Sequence, residues 1–531
     1  MPNTLVILPI LLPLMAAVVN LLIHHRRWVQ AGVGLAGLTL TLLSSIWLLA
    51  TALGGTGVVV SQMGNWPAPF GISVVADLFG GTLVCVASAV SLAVYGYALS
   101  QTPTRFTGGY FNVLFPLLVC GVNWAFLTGD LFNLFVSFEV MLLASYCLLT
   151  IGTTPRQMRQ AFKYVLLNLV VSAVFVAGCG WVYGTLGTLN FAEMAVLARQ
   201  GHVSESAAMA VAALAFVFAA KAAAFPLWFW LPDTYPTLPP AIGGFYAGLL
   251  TKVGVYALVR VVVMCFGPAE EVQATLTPLI MISAAGTMFL GVLGAVGSSS
   301  VRRILSIHVI SQVGYMILGI ALALAAGMTE GGELAMAATL LYMVQHMIVK
   351  CSLFLCGGLI EKYGGTDELS GVGSLLTRDR WLATVFLIAA LSLVGLPPLS
   401  GFFGKYLLIL ASFQRFDSWG VFLGIVAVAT GALTLLSMAK IWSYAFWSPA
   451  PEGSLSQTLP PEFRPPQRKI ALVATTSLVL LALTVGLFAH VYFELASKAG
   501  KGIIHPDAYV TAVLGDRVAS TMVPANQEET P

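Results

Sequence analysis

Seven ionisable side chains stand inside apolar runs of this 531-residue chain: Glu139, Lys221, Lys252, His308, His346, Lys350 and Lys405. An ionisable group at membrane depth costs about 2.5 to 3.5 kcal/mol on insertion scales, so its default reading is an ion or proton path. Glu139, in GDLFNLFVSFEVMLLASY, is the one carboxylate near the centre of such a run. Its bland reading is a protonated acid bonded to a backbone carbonyl; the lysines at similar depth favour a charge pair instead. Desolvation disfavours the charged form of either partner and proximity favours it. Separating Glu139 from Lys221 would therefore loosen the lysine's proton and closing the pair would hold it, which moves protons without a redox centre. Groups coupled in this way titrate as a set.

Lys221 and Lys252 flank a proline-rich corner, KAAAFPLWFWLPDTYPTLPPAIGGFYAGLLTK. Pro226 removes a backbone donor and crowds the carbonyl four residues back, so the helix carrying Lys221 is expected to break at membrane depth. Carbonyls freed by such a break can meet a lysine or water. A second break is expected after Gly395, in LVGLPPLSGFFGKYLL, with Lys405 seven residues beyond Pro398. His346 and Lys350 are four apart and share a helix face with Gln345 beside them; His308 has Gln312 on its own face. A lone membrane histidine is more often a hydrogen-bonded packing residue. Two in neighbouring spans, near lysines, favour a proton path. Lys163 is expected to snorkel to the surface, Asp130 to cap a helix, and Asp77 to lie at the membrane interface. Arg260 reads as a helix-edge residue.

The chain that must position these groups is 58% hydrophobic and 9% charged, far from the charged fraction of about 25% in soluble domains. It reads as an all-α polytopic membrane protein. The net charge of +3 is too small and dispersed for nucleic acid. The seven cysteines lie in apolar runs without CxxC or zinc spacing, so no disulfide, metal or cofactor is expected. The basic cluster Arg26–Arg27 follows the first apolar run rather than preceding it, which argues for a retained first helix.

Apolar runs long enough to span fall near 4–23, 29–53, 72–99, 110–127, 130–151, 161–185, 207–231, 242–265, 273–296, 302–326, 334–359, 383–410, 419–447 and 470–495. About fourteen transmembrane helices are expected. Two proline-broken helices five spans apart suggest two inverted five-helix repeats, each with its broken helix. The divisions are 1–109 for the first three helices, 110–265 and 266–447 for the repeats, 448–469 for a Pro-rich linker, 470–497 for the last helix and 498–531 for a polar tail. The tail beyond Glu494 is expected to be poorly ordered or held by a neighbouring protein. Loops after odd-numbered spans carry most of the Arg and Lys, among them Arg105, Arg156, Arg159, Arg302 and Arg303. They are placed in the cytoplasm, with both termini outside.

GDLFNLFVSFEVMLLASY, FPLWFWLPDTYP with LLTKVGVYALVR, SIHVISQVGYM, HMIVKCSLFL and GLPPLSGFFGKYLL resemble the signature stretches of the antiporter-like membrane subunits shared by respiratory complex I, membrane-bound hydrogenases and Mrp-type cation/proton antiporters. The resemblance covers about residues 70 to 447. GDLFNLFV and the histidine of SIHVISQ look most like the D-type subunits of Mrp antiporters. The resemblance implies a fourteen-helix core with inverted repeats and an ion pair of Glu139 with Lys221. Lys252 would continue the path and Lys405 end it, with His308, His346 and Lys350 on a central polar axis. It also implies a bacterial cell-membrane assembly with other membrane subunits, exchanging Na⁺ (or K⁺ or Li⁺) for protons, and no enzyme activity of its own. The alternative is a proton-pumping subunit of a redox complex. A passive scaffold, its lysines only holding helices together, is a third reading.

Overall fold

The computed structural model describes residues 4–23, 26–100, 110–151, 154–415, 417–451 and 465–515. The N-terminal part has α1 (Leu8–Leu22), α2 (Arg27–Gly54), a hairpin of β1 (Val58–Gln62) and β2 (Ser73–Asp77), and α3 (Leu78–Leu99). The next stretch has α4 (Phe111–Leu127), α5 (Leu131–Leu149), α6 (Pro155–Leu186), the short α7 (Phe191–Arg199), α8 (Glu205–Ala222) and α9 (Pro240–Cys265). Beyond it come α10 (Glu270–Val296), α11 (Val301–Ala326), α12 (Glu330–Gly364), α13 (Arg380–Val394), α14 (Ser400–Gln414) and α15 (Ser418–Trp447). The chain closes with α16 (Pro465–Leu487), α17 (Ala489–Ile504) and α18 (Asp507–Leu514). Among the described residues twelve helices are long and apolar enough to cross a membrane, and two more apolar helices, α4 and α13, are shorter.

Both expected breaks are present, and each is made by the local sequence. α8 stops at Ala222 because Ala223 turns left-handed (φ 57°) ahead of Pro226. The amides of Ala223 and Ala224 close the helix end on the carbonyls of Ala220 and Ala219. The exposed backbone of the corner is met from α10: Phe225 N donates to Thr287 Oγ1 at 2.8 Å, and Ser283 Oγ donates to Phe225 O at 2.9 Å. α13 ends at Gly395 (φ 92°), a conformation that favours glycine, and α14 resumes at Ser400. The fourth long element of each expected repeat is thus the interrupted one.

The helices differ in how far they stand from lipid. The apolar stretches of α9 and α12 are entirely enclosed by other helices, and that of α11 is 89% buried, against 39% for α6 and α15. Lys252, His308, His346 and Lys350 therefore lie on the three innermost helices. α9 is wedged in place by glycines. A Cβ on Gly254 would sit 2.7 Å from Ala222 N, and one on Gly248 would sit 3.0 Å from Met347 O. Backbone meets backbone there, so a methyl group has nowhere to go. Gly254→Ala is expected to cost about 1 to 3 kcal/mol through overpacking, read as a lower melting temperature of the purified protein; an unchanged melting temperature would contradict the packing described.

Two expectations are corrected. The third helix begins at Leu78 rather than 72, because SVVAD pairs antiparallel with VVVSQ in register Val58 to Asp77; hydropathy alone does not separate a β-branched strand from a helix start. Asp77, at the start of α3, and Arg260, near the end of α9, meet in a pair that neither sequence context shows. Asp77 caps α3 through Gly80 N at 2.8 Å, is 6% exposed and pairs with Arg260, which is 1% exposed. Arg260 also donates to Tyr256 Oη at 2.8 Å and lies 5.5 Å from the Tyr509 ring. Removing one member strands the other, so Asp77→Ala is expected to destabilise the fold by about 3 to 5 kcal/mol, whereas Asp77→Ala with Arg260→Met should recover much of the loss in the same thermal measurement. The tail is not loose through residue 515: α17 packs on α12 and α3, and α18 on α7 and β1. His505 meets Glu333 at 3.2 Å, Arg199 meets Asp507 at 2.5 Å, and Gln62 Nε2 donates to Val513 O at 3.2 Å. Residues 516–531 and the linker's 452–464 lie outside the described residues.

Candidate functional site

Glu139 and Lys221 come together, with a hydroxyl between them. Ser172, on α6, donates to Glu139 Oε1 at 2.6 Å and accepts from Lys221 Nζ at 3.3 Å. The ammonium also lies 5.0 Å from the Phe138 ring, a favourable cation–π geometry. Ser172 thus couples the two charges without direct contact. A lone serine in an apolar run carried no signal of this. Asp130 caps α5 through Asn133 N at 2.8 Å, and Lys163 stays on an exposed face, 3.8 Å from Asp233.

Lys252 follows a stretch of π-helix, Tyr246–Leu250, whose wider turn displaces carbonyls from the regular ladder, a feature frequent at functional sites. Its Nζ donates to Ala247 O at 2.5 Å and Thr251 Oγ1 at 3.1 Å. The close approach at Gly254 sets this helix directly against the Lys221 turn, and Gly248 sets it against Met347 and Cys351. Lys252 is therefore carried between the Lys221 break and the helix of His346 and Lys350.

His346 and Lys350 are fully buried. Neither ring nitrogen of His346, nor Lys350 Nζ, has a protein hydrogen-bond partner among the described residues, and the same is true of Gln345 Oε1, Ser392 Oγ and Ser400 Oγ. Buried polar atoms are rarely left unpaired, and water is the remaining partner in a polar site. His346 lies within electrostatic reach of Lys252, Lys350, Lys405 and His308.

Lys405 reaches back across the α13–α14 break, donating to Leu393 O at 2.8 Å and Val394 O at 3.0 Å, and lies 4.9 Å from the Tyr315 ring. Its ammonium thus satisfies carbonyls that the break releases. The neighbouring carbonyl, Ser392 O, accepts from Gln345 Nε2 at 3.3 Å, which ties Lys405 to the His346 helix. Tyr315 packs against Tyr342, and Tyr342 against His346, in tilted ring pairs with centroids 5.3 and 6.2 Å apart. Tyr342 Oη donates to Gln312 Oε1. Gln312 Nε2 donates to Ser311 Oγ at 3.0 Å, and Ser311 Oγ lies 3.3 Å from His308 Nδ1. His308 Nε2 is 2.5 Å from Ser437 Oγ on α15.

The seven residues singled out from the sequence fall into two groups, half-buried Glu139 bridged to Lys221 through Ser172 and an inner set of Lys252, His308, His346, Lys350 and Lys405, and the helices of the two groups meet at Gly254. Reading the sequence alone missed Ser172, Tyr342, Ser392 and Ser437. Of these only Ser437 had a visible signal, since Thr430, Thr434 and Ser437 recur at helical spacing in an apolar run.

Comparison with known proteins agrees with this architecture. The family described as "NADH:quinone oxidoreductase/Mrp antiporter, TM" matches residues 128–432, the segment holding every residue of the polar line but Ser437. The D subunit of the Na⁺/H⁺ antiporter of Alkalihalophilus pseudofirmus is 41% identical over 519 residues, covering 96% of this chain and 99% of that protein. The D subunit of a probable K⁺/H⁺ antiporter of Rhizobium meliloti is 33% identical, covering 87% and 90%. Among solved structures, a chain of the Mrp complex from Dietzia sp. DQ12-45-1b superposes with a TM-score of 0.86 at 30% identity, covering 97% of this chain and 100% of that one. Enclosed lysines on broken helices, the matched segment and near-full-length similarity lead to one assignment: the chain belongs to the NADH:quinone oxidoreductase/Mrp antiporter family of membrane subunits.

Proposed function

We propose that this protein is the D-type subunit of a multisubunit Na⁺/H⁺ antiporter of the cell membrane, and that protons move through it along Glu139, Lys221, Lys252, Lys350, His346, His308 and Lys405. The observation that carries the reading is the set of buried lysines and histidines, two of the lysines at helix breaks, with Glu139 bridged to Lys221, in a chain similar over nearly its whole length to the D subunit of a Na⁺/H⁺ antiporter. Lys252, Lys350 and Lys405 have no carboxylate bonded to them among the described residues. Like charges in a low-dielectric interior cannot all be held at once, so protons on these lysines compete. A proton admitted beside one is repelled toward the next. At the other end, Ser172 holds Glu139 and Lys221 within reach of each other while leaving them free to close or part.

The sodium route is placed partly in partner subunits, since the interior line is built of lysines and histidines, which repel a cation. Both termini are assigned to the outer face and the arginine-rich loops to the cytoplasm. The test is expression of the chain with its companion subunits in a strain lacking Na⁺/H⁺ antiporters. Everted vesicles should lose an imposed pH gradient when Na⁺ is added, and the purified complex should contain several membrane subunits and no flavin or iron–sulfur protein. Copurification with redox proteins, and no response to Na⁺, K⁺ or Li⁺, would overturn the reading in favour of a redox-driven pump.

A further inference from the structure

One face of α15 carries Thr430, Thr434 and Ser437, all fully buried, followed three residues later by half-buried Lys440. Residues three and four apart share a helix face, so the stripe is continuous. The two threonines donate to carbonyls one turn back, Val426 O at 2.8 Å and Thr430 O at 2.7 Å, the usual way a membrane hydroxyl is satisfied. Ser437 differs. Its oxygen lies 2.9 Å from Thr434 O and 2.5 Å from His308 Nε2, so one hydroxyl proton has two acceptors in reach and can turn between them. Lys440 Nζ donates to Val296 O at 3.2 Å and Ser298 O at 2.8 Å, in the turn joining α10 to α11. That turn leads directly into Arg302 and Arg303. His308 itself lies eight residues past the Ser300 cap of α11, about 12 Å of helix from its end.

We infer that Ser437 relays protons between His308 and the aqueous surface at Lys440, making the α10–α11 turn the cytoplasmic mouth of the proton line. The inference rests on the proton-pathway reading above. In one passage inward to the line, a proton arriving from water on the Lys440 side forms a new bond to the serine oxygen as the existing O–H bond breaks and that proton passes to His308 Nε2. Serine ends neutral with one proton and the imidazole gains one. Passage outward is the same step reversed, and rotation toward Thr434 O resets the hydroxyl.

The experiment uses the assembled complex in everted vesicles, comparing Ser437→Ala, Ser437→Thr and Glu139→Gln with the unaltered protein. Rates of Na⁺-driven proton movement are normalised to the amount of complex recovered. Ser437→Ala is expected to lower the maximal rate about tenfold with the KM for Na⁺ unchanged, and Ser437→Thr, which keeps the hydroxyl, to return it to within about twofold. An Ala variant as fast as the unaltered complex, a Thr variant no faster than the Ala variant, or a failure of the Ala variant to assemble would each overturn the relay. If Glu139→Gln abolishes exchange while Ser437→Ala does not, the relay falls and the proton-pathway reading stands; if neither alters exchange, both fall.

Discussion

Replacing Lys350 by alanine is expected to reduce Na⁺-driven proton exchange by about a hundredfold or more, the scale on which a positioned proton carrier contributes. Assembly of the complex should be little affected. Lys350 is enclosed and its Nζ makes no hydrogen bond to protein among the described residues, so its removal breaks no protein hydrogen bond. One turn back on the same helix, both ring nitrogens of His346 also lack a protein partner. A lysine kept for packing would show the opposite pattern, a loss of stability with exchange per assembled complex intact. Arginine would hold its proton at all working pH values, so Lys350→Arg should be as inactive as Lys350→Ala. Initial rates of cation-induced pH-gradient loss, divided by complex content, measure both.

Glu139→Gln is expected to have an effect of the same order for a different reason. Glutamine preserves shape and can still accept from Ser172, so the 2.6 Å contact survives while the charge that attracts Lys221 is lost. Only the Phe138 ring then draws the ammonium toward α5, and the opening and closing of the pair loses its ionic component. Ser172→Ala separates contact from charge: it removes the bridging hydroxyl and keeps both ions. An intermediate loss is expected, about tenfold, as for a hydrogen bond to a charged group. Full activity in Ser172→Ala alongside inactive Glu139→Gln would mean that the two ions communicate without the bridge.

The main features of the line were legible because membrane burial makes them expensive. A lysine in the middle of an apolar run, or two consecutive prolines inside a helix, has few structural explanations, and Lys221, Lys405 and both breaks were readable on that ground. What was not legible is whatever depends on partners distant in sequence. Ser172 becomes a bridge only because α6 packs between α5 and α8. The pairing of Asp77 with Arg260 was not legible because neither sequence context shows the other, 183 residues away. The hairpin was missed because Val-rich strands and helix starts are equally apolar. The tail is a case where the pattern was present and overlooked: Ala496, Ala499, Gly500, Ile503 and Ile504 are all buried and recur at helical spacing. A polar ending drew attention away from that apolar face.

Glu139 and Lys405 serve one route in this reading, and a double-mutant cycle tests that most directly. Exchange rates of Glu139→Gln, Lys405→Ala and the double variant are measured in the assembled complex against the unaltered one. In a single line, either change alone interrupts transport and the second adds almost nothing, so the double variant should match the slower single one. Losses that multiply, each change acting as though the other residue were untouched, would contradict it.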